Sequence, residues 1–252
     1  MQLTYTSVPA TAAPNEDVVV AGTDFAAVLD GATAVPGLDT GCVHDVAWFA
    51  RRLGAALGWR LVAPASGTIA LSTLLRAAIE ETMSAHAGSC DLSNPDSPSA
   101  TVSILRRHGE RLDYLVLADS PILLDLRPGG VRAVMDDRLD HLPDFSLTSV
   151  ARLRNSAEGF WVASTVPAAA EHAVTGSVPV AAVRRAAVFS DGAARLVERF
   201  DELSWAGLLD LLEEVGPAAL IARTRESERV APTPRRGKRY DDATAVYVSG
   251  LS

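Results

Sequence analysis

The sequence predicts an α+β fold of two antiparallel sheets with helices packed outside them, and three observations carry that expectation. Apolar, β-favouring runs recur in neighbours joined by short turns, two early stretches repeat apolar residues at three- and four-residue steps, and further helical stretches flank the last strands. The turns are too short for crossover helices, so the strand pairs must be antiparallel. At 252 residues the chain can bury one substantial core, and a single domain spanning 1–252 is expected.

Val18-Val19-Val20-Ala21 and Phe25-Ala26-Ala27-Val28-Leu29 flank Gly22-Thr23-Asp24 and read as a hairpin. Antiparallel strands return the chain to its starting point, so Glu16, Asp17 and Asp30 share one open end. Val43, Val46, Ala47, Ala50, Leu53 and Leu57 then mark a helix, and Ile69, Leu71, Leu74, Leu75, Ala78, Ile79 and Met83 mark a second after a candidate cap at Ser66. His44 and His86 fall on or near these helices with no second His or Cys at ligand spacing, and are expected to be surface or partly buried polar residues.

Gly88 to Pro98 reads as a loop, and a strand meander follows. Its members are Thr101 to Arg107, Leu112 to Ala118, Ile122 to Leu126 and Val131 to Met135, expected in one antiparallel sheet with Asp119 at a corner. Leu147, Val150, Ala151 and Leu153 suggest a helix, and Gly159 to Ala163 a short strand. Ala186 to Phe189 is a strand delivering Asp191, followed by a helix with Leu196 and Phe200. Helical stretches over Ser204 to Val215 and Pro217 to Glu228 come next, then a Pro- and Arg-rich loop over Val230 to Arg239, and a final strand over Ala243 to Val248 with Asp241 and Asp242 at its start.

A net charge of -8 and a pI near 5.1 argue against a nucleic-acid surface. The basic cluster Arg235-Arg236-Gly237-Lys238-Arg239 is expected to be a solvated loop, with steering of a phosphate as its alternative role. Cys42 and Cys90 show no CxxC spacing and the start shows no signal-like pattern, which points to a reducing cytoplasm. No apolar run approaches the roughly 20 residues of a membrane span. One lysine among many arginines, with abundant alanine, suggests a GC-rich bacterial genome.

The acidic segments stand out because each ends or begins an apolar run: Asn15-Glu16-Asp17, Asp30-Gly31, Asp119-Ser120, Ser190-Asp191-Gly192 and Asp241-Asp242. A carboxylate at a strand end sits at the rim of a core, and several rims together make an oxygen-rich pocket suited to divalent cations. Asp-Gly is a common turn dipeptide and Ser-Asp-Gly could cap a helix, but turn formation gives no reason for every segment to adjoin an apolar strand. In order, Asn-Glu-Asp, Val28-Leu29-Asp30-Gly31, Leu117-Ala118-Asp119-Ser120, Val188-Phe189-Ser190-Asp191-Gly192 and Asp241-Asp242-Ala243-Thr244-Ala245-Val246 resemble the PPM family of metal-dependent protein phosphatases, also called PP2C, over about residues 10 to 250.

That resemblance implies a four-layer αββα sandwich and two Mg²⁺ or Mn²⁺ ions, possible ligands for a third included, with water as the nucleophile. It implies that Asp30 bridges the metals, Asp191 and Asp241 complete the first site, Glu16 and the Gly31 carbonyl serve the second, and Asp17 holds water beside them. It further implies that Asp119 with Asp191 can hold the third, weaker ion, while Asp242 is a neighbour and not a ligand. The implied activity is hydrolysis of phosphate monoesters, with protein phosphoserine or phosphothreonine as substrate. The alternatives are a small phosphorylated metabolite or a non-catalytic module that binds a phosphorylated partner. A nucleophilic Ser or Cys hydrolase is disfavoured because no GxSxG elbow is present.

Three departures concern substrate and acid. Thr11-Ala12-Ala13-Pro14 lacks the Arg that clamps the phosphate in most members. Ala32-Thr33 stands where eukaryotic members carry a His able to protonate the leaving group, a contribution of about 10²–10⁴ in rate. Pro121 replaces the usual Arg after Ser120.

Overall fold

The computed structural model describes residues 1–33, 35, 37–63, 66–86, 88–232 and 238–251. In chain order the strands are β1 (Gln2–Val8), β2 (Val18–Ala21), β3 (Phe25–Gly31), β4 (Ala100–His108), β5 (Arg111–Leu117), β6 (Ile122–Leu126), β7 (Gly130–Val134), β8 (Val174–Pro179), β9 (Val183–Phe189) and β10 (Ala243–Ser249). The helices are α1 (Val46–Leu61), α2 (Leu71–His86), α3 (Leu147–Leu153), α4 (Asp191–Glu198) and α5 (Trp205–Val230). One sheet has the order β1-β10-β9-β6-β7 and the other β2-β3-β4-β5-β8, with antiparallel pairing throughout.

Strand parity explains the layers. On β3, Ala26 and Val28 join a cluster between the sheets with Leu105, Val116, Ile122, Val188 and Val246, while Phe25, Ala27 and Leu29 pack on Leu53, Leu57, Leu75 and Ile79 of α1 and α2. On the other sheet, Ala187 and Phe189 face Leu208, Leu212 and Ile221 of α5. Both faces of each central strand are covered, which is why these strands read as continuous apolar runs rather than as alternating ones. The result is helices, sheet, sheet, helices: the expected four-layer sandwich.

Most predicted elements occur where the sequence places them, including the β2–β3 hairpin with Val18 opposite Leu29. Helix α1 begins at Val46 behind an Asp45 cap, and Val43 lies outside it, exposed. Ser66 opens a single 3-10 turn and donates its hydroxyl to Leu61 O instead of capping α2. Helix α5 joins the two expected helical stretches, with the break between them at Gly216 (φ +81) before Pro217.

The meander is corrected. β4 and β5 belong to one sheet, β6 and β7 to the other, and β5 does not pair with β6. The chain changes layers at Ala118–Pro121, where Ala118 adopts φ +66. Short polar side chains hold this crossing: Ser120 and Thr101 exchange a hydroxyl hydrogen bond, and Ser103 donates to Ser120 O. β1 and β8 were not anticipated, and Gly159 to Ala163 forms only isolated bridges, Ala100 with Ala163 and Arg154 with Phe160. Arg235-Arg236-Gly237 of the basic cluster lies outside the described residues. Among the described residues, no helix is long and apolar enough to cross a membrane.

Candidate active site

Period-2 geometry aims the central carboxylate. Asp30 follows Ala26 and Val28 on the inter-sheet face of β3, one step beyond the last apolar residue, so it projects into the rim between the sheets. Extending the β2–β3 register one step sets Asp17 opposite Asp30. From the other sheet, β9 ends at Phe189 and Ser190 pairs with Thr244 at the start of β10, donating its N–H to Thr244 O (3.0 Å) and accepting from Thr244 N at its hydroxyl (2.9 Å). Ser190 occupies the cap position of α4, yet its hydroxyl serves β10 and not the helix. The N–H of Asp191, in the first turn of α4, donates to Asp30 Oδ2 (3.2 Å) and links the two sheets across the rim.

Asp30, Gly31, Asp119, Asp191 and Asp241 line one cleft of about 200 Å³, together with Thr33, Thr101, Arg154 and Lys238. Glu16 lines an adjoining cleft of about 260 Å³ with Asp242, and Thr33, Lys238 and Asp241 line both. Asp17 lines neither and is buried behind them. Two glycines permit the close packing. A Cβ on Gly31 would lie 2.9 Å from the Glu16 backbone oxygen, and one on Gly192 would lie 2.0 Å from the Asp242 carbonyl oxygen, so α4 seats against the Asp241-Asp242 segment only with glycine there. Asp242 is the clamp of this region: its carboxylate accepts from Ala10 N (2.7 Å) and Glu16 N (2.6 Å) and fixes the segment that presents Glu16.

The electrostatics are those of a site that wants cations. Burial, followed by the negative fields of Asp17, Asp191, Asp119 and Asp241, holds the Asp30 carboxyl well above the usual range. Burial and then Asp191 push Asp119 up to about 7. Asp191 is raised by burial and Asp241, with Arg195 opposing, and Glu16 is raised by burial against the pull of Thr33 and Lys238. Asp17 is pushed up to about 7, by burial above all. The Thr244 and Ser190 hydroxyls moderate that shift, but neither reaches hydrogen-bonding geometry with Asp17, and both its carboxylate oxygens are buried without a hydrogen-bond partner. A buried carboxylate with no donor is costly, by roughly 1–3 kcal/mol or more, unless something else satisfies it.

Arg195 and Arg154, which the sequence did not single out, and Lys238 of the basic cluster supply the positive charge. Arg195, one turn along α4 from Asp191, donates to Asp241 (2.9 Å) and to the buried Glu228 of α5 (2.6 Å), so it orients Asp241 from behind. Lys238 donates to Asp241 (2.8 Å) and to Thr33, which in turn donates to Glu16. Burial works against the Lys238 ammonium, but Asp241, Glu16 and Asp30 outweigh it and hold its pKa above the ordinary value. Arg154, just after α3, lines the cleft; its Nη1 donates to Pro95 O (3.0 Å), and its Nε is buried without a partner. Thr11, Ala13 and Pro14 line the adjoining cleft and bring no cation to it, and no imidazole lines either cleft among the described residues.

The donor set, all oxygen, fits Mg²⁺ or Mn²⁺ in chemistry. The unsatisfied Asp17 oxygens and the raised carboxyl groups are the mark of that fit: several acids this close cannot all ionise without added positive charge.

The sequence profile described as protein phosphatase 2C matches residues 10–226. No sequence among curated proteins matches the chain. Among solved structures, the serine/threonine phosphatase PstP/Ppp of Mycobacterium tuberculosis is similar with a TM-score of 0.62 at 19% identity, covering 98% of this chain and 97% of that one. The catalytic domain of PstP in complex with two manganese ions is similar with a TM-score of 0.59 at 19% identity, over 98% and 97% of the two chains. The PPM Ser-Thr phosphatase MsPP of Mycobacterium smegmatis, in complex with cacodylate, gives 0.60 at 16% identity over 99% and 98%.

Proposed function

We propose a function from one premise: the chain belongs to the protein phosphatase 2C family and is a metal-dependent serine/threonine phosphatase. The observation that carries the reading is the convergence of Asp30, Asp119, Asp191 and Asp241 on one cleft with the unsatisfied Asp17 carboxylate behind it. In this reading Asp30, Asp191 and Asp241 would hold one ion, and Asp30, Glu16 and the Gly31 carbonyl a second; the similar catalytic domain of PstP is in complex with two manganese ions. Asp119 and Asp191 offer a third, weaker position, consistent with their mutual electrostatic contact. Bound there, Mg²⁺ or Mn²⁺ supplies a nucleophile from water at neutral pH and offsets charge on the phosphoryl oxygens.

The remaining work falls to the chain's own groups. Asp17, whose buried oxygens find no donor in the chain, would accept from a water held behind the two clefts and so orient it. Arg195 fixes the rotamer of Asp241, and Asp242 fixes the backbone that presents Glu16. Arg154, the arginine that lines the same cleft, takes the place of the missing phosphate clamp. Phosphorylated protein is the substrate class, and the two free cysteines suit a single-domain enzyme of a reducing compartment, the cytoplasm of a bacterium.

Release of p-nitrophenol from p-nitrophenyl phosphate, with Mn²⁺ and with EDTA, tests the chemistry. Turnover that Mn²⁺ supports and EDTA abolishes is expected, and turnover unaffected by EDTA would overturn the reading. A panel of phosphopeptides against sugar, nucleotide and other small phosphates tests the substrate class; preference for the small phosphates would reassign it.

A further inference from the structure

Cys42, His44, His86 and Cys90 come together from a Cys-x-His and a His-x₃-Cys pair, which corrects the expectation that no second His or Cys stands at ligand spacing from the two histidines. Cys42 and His44 lie in the loop between β3 and α1, His86 ends α2, and Cys90 follows in the next turn. Their ligand atoms all lie within 4.8 Å of one another. Cys42 Sγ is 3.3 Å from His86 Nδ1, 3.6 Å from His44 Nδ1 and 3.0 Å from Cys90 Sγ, and Cys90 Sγ is 3.4 Å from His44 Nδ1.

We propose that these four side chains form a closed Cys₂His₂ site for Zn²⁺ that staples the β3–α1 loop to the end of α2. A tetrahedral ion with Zn–S of about 2.3 Å and Zn–N of about 2.0–2.1 Å sets S···N edges near 3.5 Å and an S···S edge near 3.8 Å. The S···N separations already have that size, and the sulfurs need to part by only about 0.8 Å. Both imidazoles turn Nδ1 toward the sulfurs, so all four soft donors face one point.

The surroundings preform the site. His44 stacks on Trp48 of α1 at 3.8 Å, and Trp48 meets His86 edge-on at 4.7 Å, so one indole sets the planes of both imidazoles. Asp91 N donates to Gly41 O (2.7 Å) and Asn94 Nδ2 to Asp39 O (3.0 Å), so hydrogen bonds join the two segments beside the cluster. The alternative explanations leave more unexplained. A Cys42–Cys90 disulfide would need about 2.05 Å between sulfurs and gives no reason for two imidazoles to converge on them. A plain hydrogen-bond network asks weak thiol donors to satisfy the Nδ1 atoms of two imidazoles.

Four protein ligands leave no open position, so the role is structural and not catalytic. The loop it would hold also carries Thr33, the group that links Lys238 to Glu16 at the acidic cleft. Soft sulfur and nitrogen here and hard oxygen there sort two kinds of ion to two places in one chain.

The full chain, expressed without added zinc chelators and dialysed, is expected to carry one zinc per chain by elemental analysis. After removal of the metal, Co²⁺ alone should produce the intense visible bands of a tetrahedral ion with thiolate charge transfer, and X-ray absorption of the zinc protein should show a mixed sulfur and nitrogen shell. Cys90→Ser should lose the zinc and the thiolate bands; should that variant fail to fold, the wild-type absorption data decide alone. Asp30→Asn should keep both signals, which separates this site from the acidic cleft and from the phosphatase reading. Absence of stoichiometric zinc together with no tetrahedral Co²⁺ spectrum, or a Cys42–Cys90 disulfide in protein prepared without oxidant, would overturn the proposal.

Discussion

The acidic cleft and the Cys–His cluster both gather ligand-type side chains, but they are assembled in opposite ways. The cleft draws single carboxylates from strand ends scattered between Glu16 and Asp241, each an acid placed where an apolar run stops. The cluster draws two pairs from the ends of one helical hairpin, and neither pair is unusual by itself. Without ions the first is electrostatically frustrated, as the raised Asp30 and Asp119 carboxyls show, whereas in the second, against burial, hydrogen bonds with Cys42, Ser89 and His86 bring the Cys90 thiol down to about 5. The lesson is that a local anomaly in a sequence announces a site, while a coincidence created by folding does not.

The largest expected effect tests whether the two regions are independent. Asp30→Asn and Asp191→Asn should each lower Mn²⁺-dependent turnover by at least about 10³-fold, the equivalent of roughly 4 kcal/mol of lost transition-state stabilisation, and should leave the bound zinc unchanged. Steady-state assays paired with elemental analysis measure both; near-normal turnover in either variant would remove that carboxylate from the mechanism.

Next in size is Arg154→Ala. Loss of one charged hydrogen bond to the phosphate, about 1.5–3 kcal/mol, should raise KM by about 10- to 100-fold. An unchanged KM would return the phosphate contact to the metals alone.

Asp17 sharpens the comparison through pH. Its carboxyl stands at about 7 in the fold against an ordinary 3.8. In metal-free protein the folded state therefore keeps a proton that the unfolded chain has lost between those values, so stability should fall as pH rises from about 4 to about 7 and level off above. Asp119, also near 7, shares this slope. Asp17→Asn should flatten it in thermal melts with EDTA, and equal slopes in both proteins would dismiss Asp17 as a source. The Cys–His cluster should contribute no such response to the variant.

The smallest effect concerns Lys238, whose ammonium neutralises Asp241 where a divalent ion would compete. The pair is partly exposed, worth up to about 1 kcal/mol, so Lys238→Met should tighten Mn²⁺ binding by at most about fivefold in calorimetry. Weaker binding in that variant would show that the lysine supports the site.

What could be read beforehand follows the same division. The β2–β3 hairpin, the α1 and α2 stripes and the strands carrying Asp30, Asp191 and Asp241 were legible because both faces of those strands are buried and their ends are acidic. The sheet assignment of β5 and β6 was not, since a turn within one sheet and a crossing between two use the same short Ala118–Pro121 segment and differ in backbone angles. β8 hid in a segment whose Gly176 and Pro179 weaken a strand signal, although β1, with Leu3, Tyr5 and Val8, carried one that could have been found. Arg195 and Arg154 look like any surface arginine in the sequence; only the fold turns them inward.

Lys238 has one more consequence. It is the sole lysine of the sequence, so every acyl-transfer reaction on an ε-amine has a single address here. That address borders both clefts. Labelling of one residue therefore reads out ion loading of the whole rim: slow while the amine is clasped by acids, faster once those acids are engaged elsewhere.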